Sequence, residues 1–268
     1  MDQNIKLQNH FLSLIVPCYK QEKIIVRNVK QIKKVLDKIR YDYEIIVVVD
    51  GEVDKAFEKL KKAQIPKVKA FCYKKNQGKS YAIRLGMHYA KGDYVMFIDS
   101  GMEIDPNGIS MLLEHMEWYN ADVIVGSKRH QVSQVNYSLQ RKILSVGYYT
   151  LVKILFGIKV TDTQAGIKVY RKNVLEKILP RLLEKKFTGD LEMLVVAEKL
   201  GFTRIYEAPI KLNYQLGALS SAATIKSIGQ IMIDTLAVFY RRYLAHYYRK
   251  SRRKLIIPKD LQTIKPSQ

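Results

Sequence analysis

The chain has 268 residues, 47% of them hydrophobic and 26% charged, with a formal net charge of +21. That size and balance suit one large globular domain with an appendage and exclude a disordered or collagen-like chain. Two cysteines, Cys18 and Cys72, and five scattered histidines exclude a disulfide scaffold and a Cys/His zinc site; such cysteine usage fits a reducing compartment.

Residues 1–10 are polar, so no signal peptide is expected. The apolar stretch 143–160 is interrupted by Lys153, Lys159 and two glycines, which argues against a spanning helix. Charge is unevenly placed. Residues 127–161 hold six basic residues and no acidic one, and residues 216–268 hold ten basic and two acidic, so these stretches carry +14 of the +21. A polyanionic partner is implied: nucleic acid, an anionic membrane face or a phosphorylated substrate.

In chain order, apolar β-branched runs at 11–16, 44–49, 67–72 and 94–98 predict strands buried on both faces. Amphipathic stretches at 22–39, 53–63 and 80–90 predict the helices between them. This alternation specifies an α/β fold with a mostly parallel sheet. A helix over 107–119 follows Asp105-Pro106, and 121–126 predicts another strand. Then come a basic amphipathic helix at 139–156, a short strand at 166–170, a helix near 191–200 and a strand at 204–208. A boundary is expected near Leu216, followed by an amphipathic helical tail over 224–248 and a basic, polar end expected to fray from Lys250.

Sheets of this kind bind ligands at the carboxyl ends of their strands. Past the first four strands lie Pro17-Cys18-Tyr19-Lys20-Gln21-Glu22, Asp50-Gly51-Glu52-Val53-Asp54, Asn76-Gln77-Gly78-Lys79-Ser80 and Asp99-Ser100-Gly101-Met102-Glu103-Ile104-Asp105. One Asp in such a place is commonly a turn or cap residue; four polar strand ends in register point to a site. Gly78-Lys79-Ser80 has the ending of a P-loop, but the required glycine five positions earlier is Tyr73, so that motif fails. A lysine at a helix start still suits a phosphate.

These strings, together with Val16-Pro17-Cys18-Tyr19, Gly92-Asp93-Tyr94 leading to Asp99, and Gly126-Ser127-Lys128, resemble a family 2 glycosyltransferase. Asp162-Thr163-Gln164-Ala165-Gly166-Ile167-Lys168 and Asp190-Leu191-Glu192 narrow the resemblance to the dolichol-phosphate (polyprenyl-phosphate) mannosyltransferase-like branch. The resemblance covers about residues 11–215. It implies a GT-A fold over 1–215, an interfacial segment at 139–160, a nucleotide-sugar donor linked to GDP or UDP, and Mg²⁺ or Mn²⁺.

Carried onto this sequence, the resemblance places Pro17, Tyr19 and Gln21 near the nucleotide, with Asp50 accepting a hydrogen bond from the base. Asp99 matches the first Asp of an Asp-x-Asp motif that joins the donor diphosphate through a hard cation preferring oxygen ligands. Ser100 follows it, and Lys79, Lys168 and Arg171 become candidate partners of the donor phosphates. Position 101 is Gly in place of the usual second Asp, so Glu103 is expected to complete the metal site with Asp99. Val49 replaces the first of the usual Asp pair, and Lys20-Gln21 replaces Asn-Glu.

On the acceptor side, Lys128, Arg129, Arg141 and Ser145 match positions that hold a lipid phosphate, Arg141 and Ser145 lying one helical turn apart. The reaction implied is inverting transfer of a hexose, mannose or glucose, to a polyprenyl phosphate. That acceptor is already ionised and needs cations in place of a strong base. Asp190 or Glu192 would orient the sugar, base work being the lesser role. Apolar residues of 143–156, and Ile228, Ile231, Met232, Thr235, Val238 and Phe239 of the tail, would face the bilayer interface. Tyr240, Tyr243, Tyr247 and Tyr248 would sit among head groups, with Arg241, Arg242, Arg249, Lys250, Arg252, Arg253 and Lys254 drawn to anionic lipid.

The implied location is the cytoplasmic face of a membrane, peripherally attached. The tail's stripe equally suits packing on its own domain or on a membrane-embedded partner subunit. Two rivals remain: a family 2 transferase acting on a polysaccharide or other hydroxyl, which needs a carboxylate base, and a nucleic-acid-binding protein. The second rests on charge alone, and no recognition motif supports specific nucleic-acid binding.

Overall fold

Period-two burial builds the sheet. In β1 (Phe11–Cys18) and β2 (Asp42–Asp50), Leu12, Leu14, Val16, Ile45 and Val47 enter one hydrophobic core, while Ile15, Ile46 and Val48 enter another on the opposite face. The computed structural model describes residues 10–133, 139–213, 225–250 and 255–266; of 139–143 and 225–227 it describes the backbone. The remaining strands are β3 (Val68–Tyr73), β4 (Tyr94–Ile98), β5 (Val123–Ser127), β6 (Ile167–Arg171), β7 (Ile205–Pro209) and β8 (Gln262–Ile264). They form one sheet in the order β7-β5-β6-β4-β1-β2-β3-β8.

β1 pairs in parallel with β2 and β4, and β2 with β3. Helices α1 (Ile25–Leu36), α2 (Ala56–Ala63) and α4 (Gly108–Trp118) cover one face; α3 (Lys79–Tyr89), α6 (Lys172–Ile178) and α7 (Gly189–Lys199) cover the other. The α/β, mostly parallel architecture expected from the alternation is present. α1 and α2 start three residues later than expected because 22–24 and 53–55 tie two strand ends together. The Glu22 N–H donates to Asp54 Oδ2 at 2.9 Å and the Lys55 N–H to Glu22 Oε2 at 3.0 Å. β6 departs from the parallel pattern: it runs antiparallel to both β4 and β5. Both cysteines are free and buried, and burial pushes the Cys72 thiol up to about 12.

The tail packs on its own domain. In α8 (Ile225–Phe239), Thr235 and Val238 are buried against α5 (Leu139–Phe156), the Tyr148 and Thr235 hydroxyls lying 3.1 Å apart. Of the stripe expected to meet lipid, Thr235, Val238 and Phe239 are thus turned to the domain, while Met232 is exposed. A second stripe is the exposed one: Ile233, Leu236, Tyr240 and Leu244, with Leu144, Val146 and Ile154 of α5. Phe156, expected at the interface, is buried beside Phe239.

A π-helical turn at Tyr240–Leu244 aims two arginines inward. Arg241 pairs with Glu184 at 2.6 Å and Arg242 with Glu198 at 2.9 Å. Tyr248 is buried with its hydroxyl on Glu192, so these three residues are not the lipid contacts expected of them. The end of the chain does not fray throughout. Leu255 and Leu261 pack on the core, and β8 pairs antiparallel with β3, because the β3 edge offers unpaired backbone groups. The boundary expected near Leu216 and the cations Arg252, Arg253 and Lys254 lie outside the described residues.

Candidate functional site

Strand order reverses direction beside β1: β2 and β3 lie on one side, β4 on the other. The carboxyl ends of β1 and β4 therefore flank the switch point at which such sheets bind ligands. At the β1 end Pro17 is buried and the Tyr19 ring is exposed, open for stacking; Gln21 caps α1 by accepting from the Ile24 and Ile25 N–H groups. The β2 end holds Asp50, 2% exposed, whose carboxylate accepts from Tyr73 Oη (2.7 Å), Asn76 Nδ2 (2.8 Å), the Gln77 N–H (2.7 Å) and the Gly78 N–H (2.9 Å).

Four donors fill the acceptor positions of a carboxylate. Asp50 is therefore the anchor of the 76–79 loop, and the expected hydrogen bond from a base to this group is not supported. The reason is tertiary: Tyr73, from β3, reaches across to it, and burial with the adjacent Asp50 charge pushes the Tyr73 hydroxyl far up. Asp50→Asn would turn an amide NH₂ toward N–H donors. It is expected to cost about 1–3 kcal/mol and to raise the donor KM, as read by denaturation and initial rates.

The loop held by Asp50 delivers Lys79 to the β4 end. Lys79 Nζ lies 2.8 Å from Asp99 Oδ1 and 3.7 Å from Asp190 Oδ2. Burial pulls its ammonium pKa down, but the charges of Asp99 and Asp190 outweigh this and raise it. Ser100 is buried beside Asp99, its carbonyl accepting from Asn28 Nδ2 at 2.8 Å. Gly166 makes room for the Asp99 carboxylate: a Cβ there would lie 2.3 Å from Asp99 Oδ2. The backbone agrees, since the Asp99 N–H donates to the Gly166 carbonyl at 3.0 Å.

Several expected site residues are placed elsewhere. Lys168 is fully buried on β6, its Nζ 2.8 Å from the Ala165 carbonyl and 3.5 Å from Asp190 Oδ1; it supports Asp190 from beneath and does not reach the donor side. Burial pulls its pKa down against the opposing pull of Asp190. Arg171 pairs with Tyr94 at the start of β4 and donates to the Ala121 carbonyl and Asn120 Oδ1. Antiparallel β6 carries it roughly 16 Å from Gly166, at ~3.3 Å per residue, to the amino end of β4. Glu103 is exposed, and among the described residues no cluster of three or more acidic, His or Cys side chains could hold a metal. Glu192 is sealed inside, burial raising its carboxyl pKa, and faces the tail.

Asp99, with its side chain 38% exposed, still suits a divalent ion. A hard cation needs few protein carboxylates when diphosphate oxygens and water complete its shell.

On the other flank, Lys128 and Arg129 follow β5. Lys128 is held by Asp162, through its N–H at 3.1 Å and its Nζ at 3.8 Å. Arg129 donates to Ser145 Oγ at 2.6 Å and lies over the Tyr149 ring at 5.1 Å, so two acceptor candidates from separate elements meet. Arg141 is on α5 one turn before Ser145, but its side chain lies outside the described residues. A residue not singled out from the sequence is Glu207 of β7. Its carboxylate accepts from the Thr161 and Asp162 N–H groups at 2.8 and 3.0 Å, holding the segment that carries Asp162. No local motif marks it.

An eight-stranded, mostly parallel sheet with its switch point beside β1 is the architecture of the GT-A fold. The profile described as Glycosyl transferase family 2 matches residues 13–179, and the chain belongs to that family; it is a glycosyltransferase. It is 26% identical over 261 residues to the dolichyl-phosphate beta-glucosyltransferase of Dictyostelium discoideum, covering 91% of this chain and 79% of the relative. It is 27% identical over 265 residues to the dolichyl-phosphate beta-glucosyltransferase of Saccharomyces cerevisiae, covering 91% and 78%. In fold it is similar to glucosyl-3-phosphoglycerate synthase from Mycobacterium tuberculosis, solved with Mn²⁺, UDP-glucose and phosphoglyceric acid. The TM-score is 0.64 at 13% identity, over 87% of this chain and 79% of that one.

Proposed function

We propose that the protein transfers glucose from a nucleotide-sugar, UDP-glucose first among candidates, to a polyprenyl phosphate such as dolichyl phosphate, with inversion, at a membrane surface. The observation that carries this reading is the meeting of Arg129 and Ser145 beside Lys128, on the flank away from the Lys79–Asp99 pair. Similarity to dolichyl-phosphate beta-glucosyltransferases supports glucose and the lipid phosphate.

Tyr19 offers its ring to the base, and the Asp50-held loop sets Lys79 beside the donor diphosphate. Arg129, Ser145, Lys128 and Arg141 orient the acceptor phosphate. One of its oxygens attacks the sugar C1 as the C1–O bond to the diphosphate breaks, through an oxocarbenium-like transition state. The bonding pair leaves with the nucleoside diphosphate, and no proton has to be removed from an ionised phosphate. Asp190, held between two lysines, orients the sugar. A divalent ion held by Asp99 would supply neutralisation of charge on the leaving diphosphate.

Among the described residues, no helix is long and apolar enough to cross a membrane. The exposed stripe of α5 and α8 would rest on lipid, with Arg249 and Lys250 near anionic head groups.

The test is a donor screen of UDP-glucose, GDP-mannose and related sugars with short polyprenyl phosphate and Mn²⁺ or Mg²⁺. Transfer only to a free polysaccharide hydroxyl would overturn the lipid-phosphate reading. Arg129→Ala is expected to raise the acceptor KM about tenfold, the scale of one charge-assisted hydrogen bond, while leaving the donor KM unchanged. Equal loss on both substrates would remove Arg129 from the acceptor site.

A further inference from the structure

Glu192 joins three separate parts of the chain although no part of it reaches solvent. It stands in the first turn of α7, two residues after Asp190. Its Oε2 accepts from the Leu183 and Glu184 N–H groups at 2.9 and 2.8 Å. Its Oε1 accepts from Tyr248 Oη at 2.8 Å and lies 3.5 Å from the Arg241 guanidinium, which also holds Glu184. A buried carboxylate with this many donors fixes all of them, because each left unpaired would carry its full desolvation cost.

The segment so held, 183–186, is the wall behind the donor loop. The Lys185 carbonyl accepts from the Tyr81 N–H at 3.0 Å, and the Lys186 carbonyl accepts from Ser80 Oγ. Lys185 Nζ donates to Gln77 Oε1 at 3.2 Å. At Gly78, with φ +105°, a Cβ would lie 2.5 Å from the Lys185 carbonyl oxygen. The loop that presents Lys79 is thus gripped on one side by Asp50 and on the other by 183–186. The latter rests through Glu192 on Arg241 and Tyr248, two and nine residues past the end of the helix bearing the exposed apolar stripe.

We propose that Glu192 is a positioning residue, and that the Tyr248–Glu192–Arg241 node sets the 77–81 loop so that the C-terminal tail governs donor affinity. The tail is therefore part of the donor site's support as well as a surface for lipid. The substrate arm of the test rests on the donor reading above; the exchange arm needs no substrate, so failure of one is distinguishable from failure of the other.

The full chain is compared as wild type, Tyr248→Phe, Glu192→Gln and, as a control, Tyr119→Phe at the exposed end of α4. Tyr248→Phe keeps the ring and removes one hydrogen bond. Amide hydrogen exchange is expected to quicken roughly three- to tenfold, the scale of one net hydrogen bond, in peptides covering 77–81 and 183–186, with β1 and β2 unchanged. UDP-glucose KM rises by a similar factor with kcat nearly constant. Glu192→Gln gives the larger change of the same kind, and Tyr119→Phe gives none. Unchanged exchange at 77–81, or acceleration spread evenly over the sheet, would overturn the proposal. So would a fall in kcat at constant donor KM.

Discussion

Asp99→Asn is expected to lower transfer by roughly 100- to 1,000-fold, the range seen when one preorganised electrostatic group is lost. The substitution is isosteric and the side chain is partly exposed, so stability should move by no more than about 1 kcal/mol. The carboxylate stands at the end of β4, cleared by Gly166 and neutralised by Lys79. An amide there binds a hard cation weakly and no longer holds the Lys79 charge in place. Initial rates across Mn²⁺ concentrations, with thermal unfolding as the control for folding, check this. Near-normal turnover at ordinary Mn²⁺ would remove Asp99 from the reaction.

The second large effect is on stability. Lys168→Met takes away one partner of an ion pair in which neither side chain reaches solvent appreciably. Removing one member of such a pair costs about 3–5 kcal/mol, because the remaining charge stays buried. Among the described residues, Asp190 would keep only the Lys79 ion pair, at 3.7 Å, and would draw it from Asp99. Activity is thus expected to fall together with stability. Lys168→Met/Asp190→Leu should recover most of the stability, since both charges are gone, while transfer stays low. Denaturant titration of the two variants separates these outcomes. A single variant within about 1 kcal/mol of wild type would show that the pair is not what holds Asp190, given the usual cost of breaking one.

The α/β alternation and most strands were legible because burial on both faces leaves continuous apolar runs that need no partner to be recognised. The β4 end with Asp99 and the Lys79-bearing loop were legible for a related reason: a strand end followed by turn residues locates itself. The positions of Lys168 and Arg171 were not legible, because strand direction is not written in hydropathy. Running antiparallel, β6 buries the first beneath Asp190 and carries the second to the amino end of β4. That Asp50 anchors a loop was not legible, because its donors come from β3 and from backbone N–H groups, which carry no sequence signature. The tail's apolar stripe was visible, but which of its faces meets α5 depends on contacts between segments far apart in sequence, as from Tyr148 to Thr235, 87 residues on.

From the order of its residues alone, this chain specifies an α/β sheet, a strand-end aspartate and a cationic flank, since each follows from local pattern and spacing, and its motifs resemble those of family 2 glycosyltransferases. Tertiary structure alone decided which lysine meets Asp99 and which lies beneath Asp190. It also decided that the C-terminal end closes back onto the sheet and that Glu192 ties the tail to the donor loop. Those outcomes depend on desolvating charges in pairs, and a charge finds its partner only when distant segments are brought together.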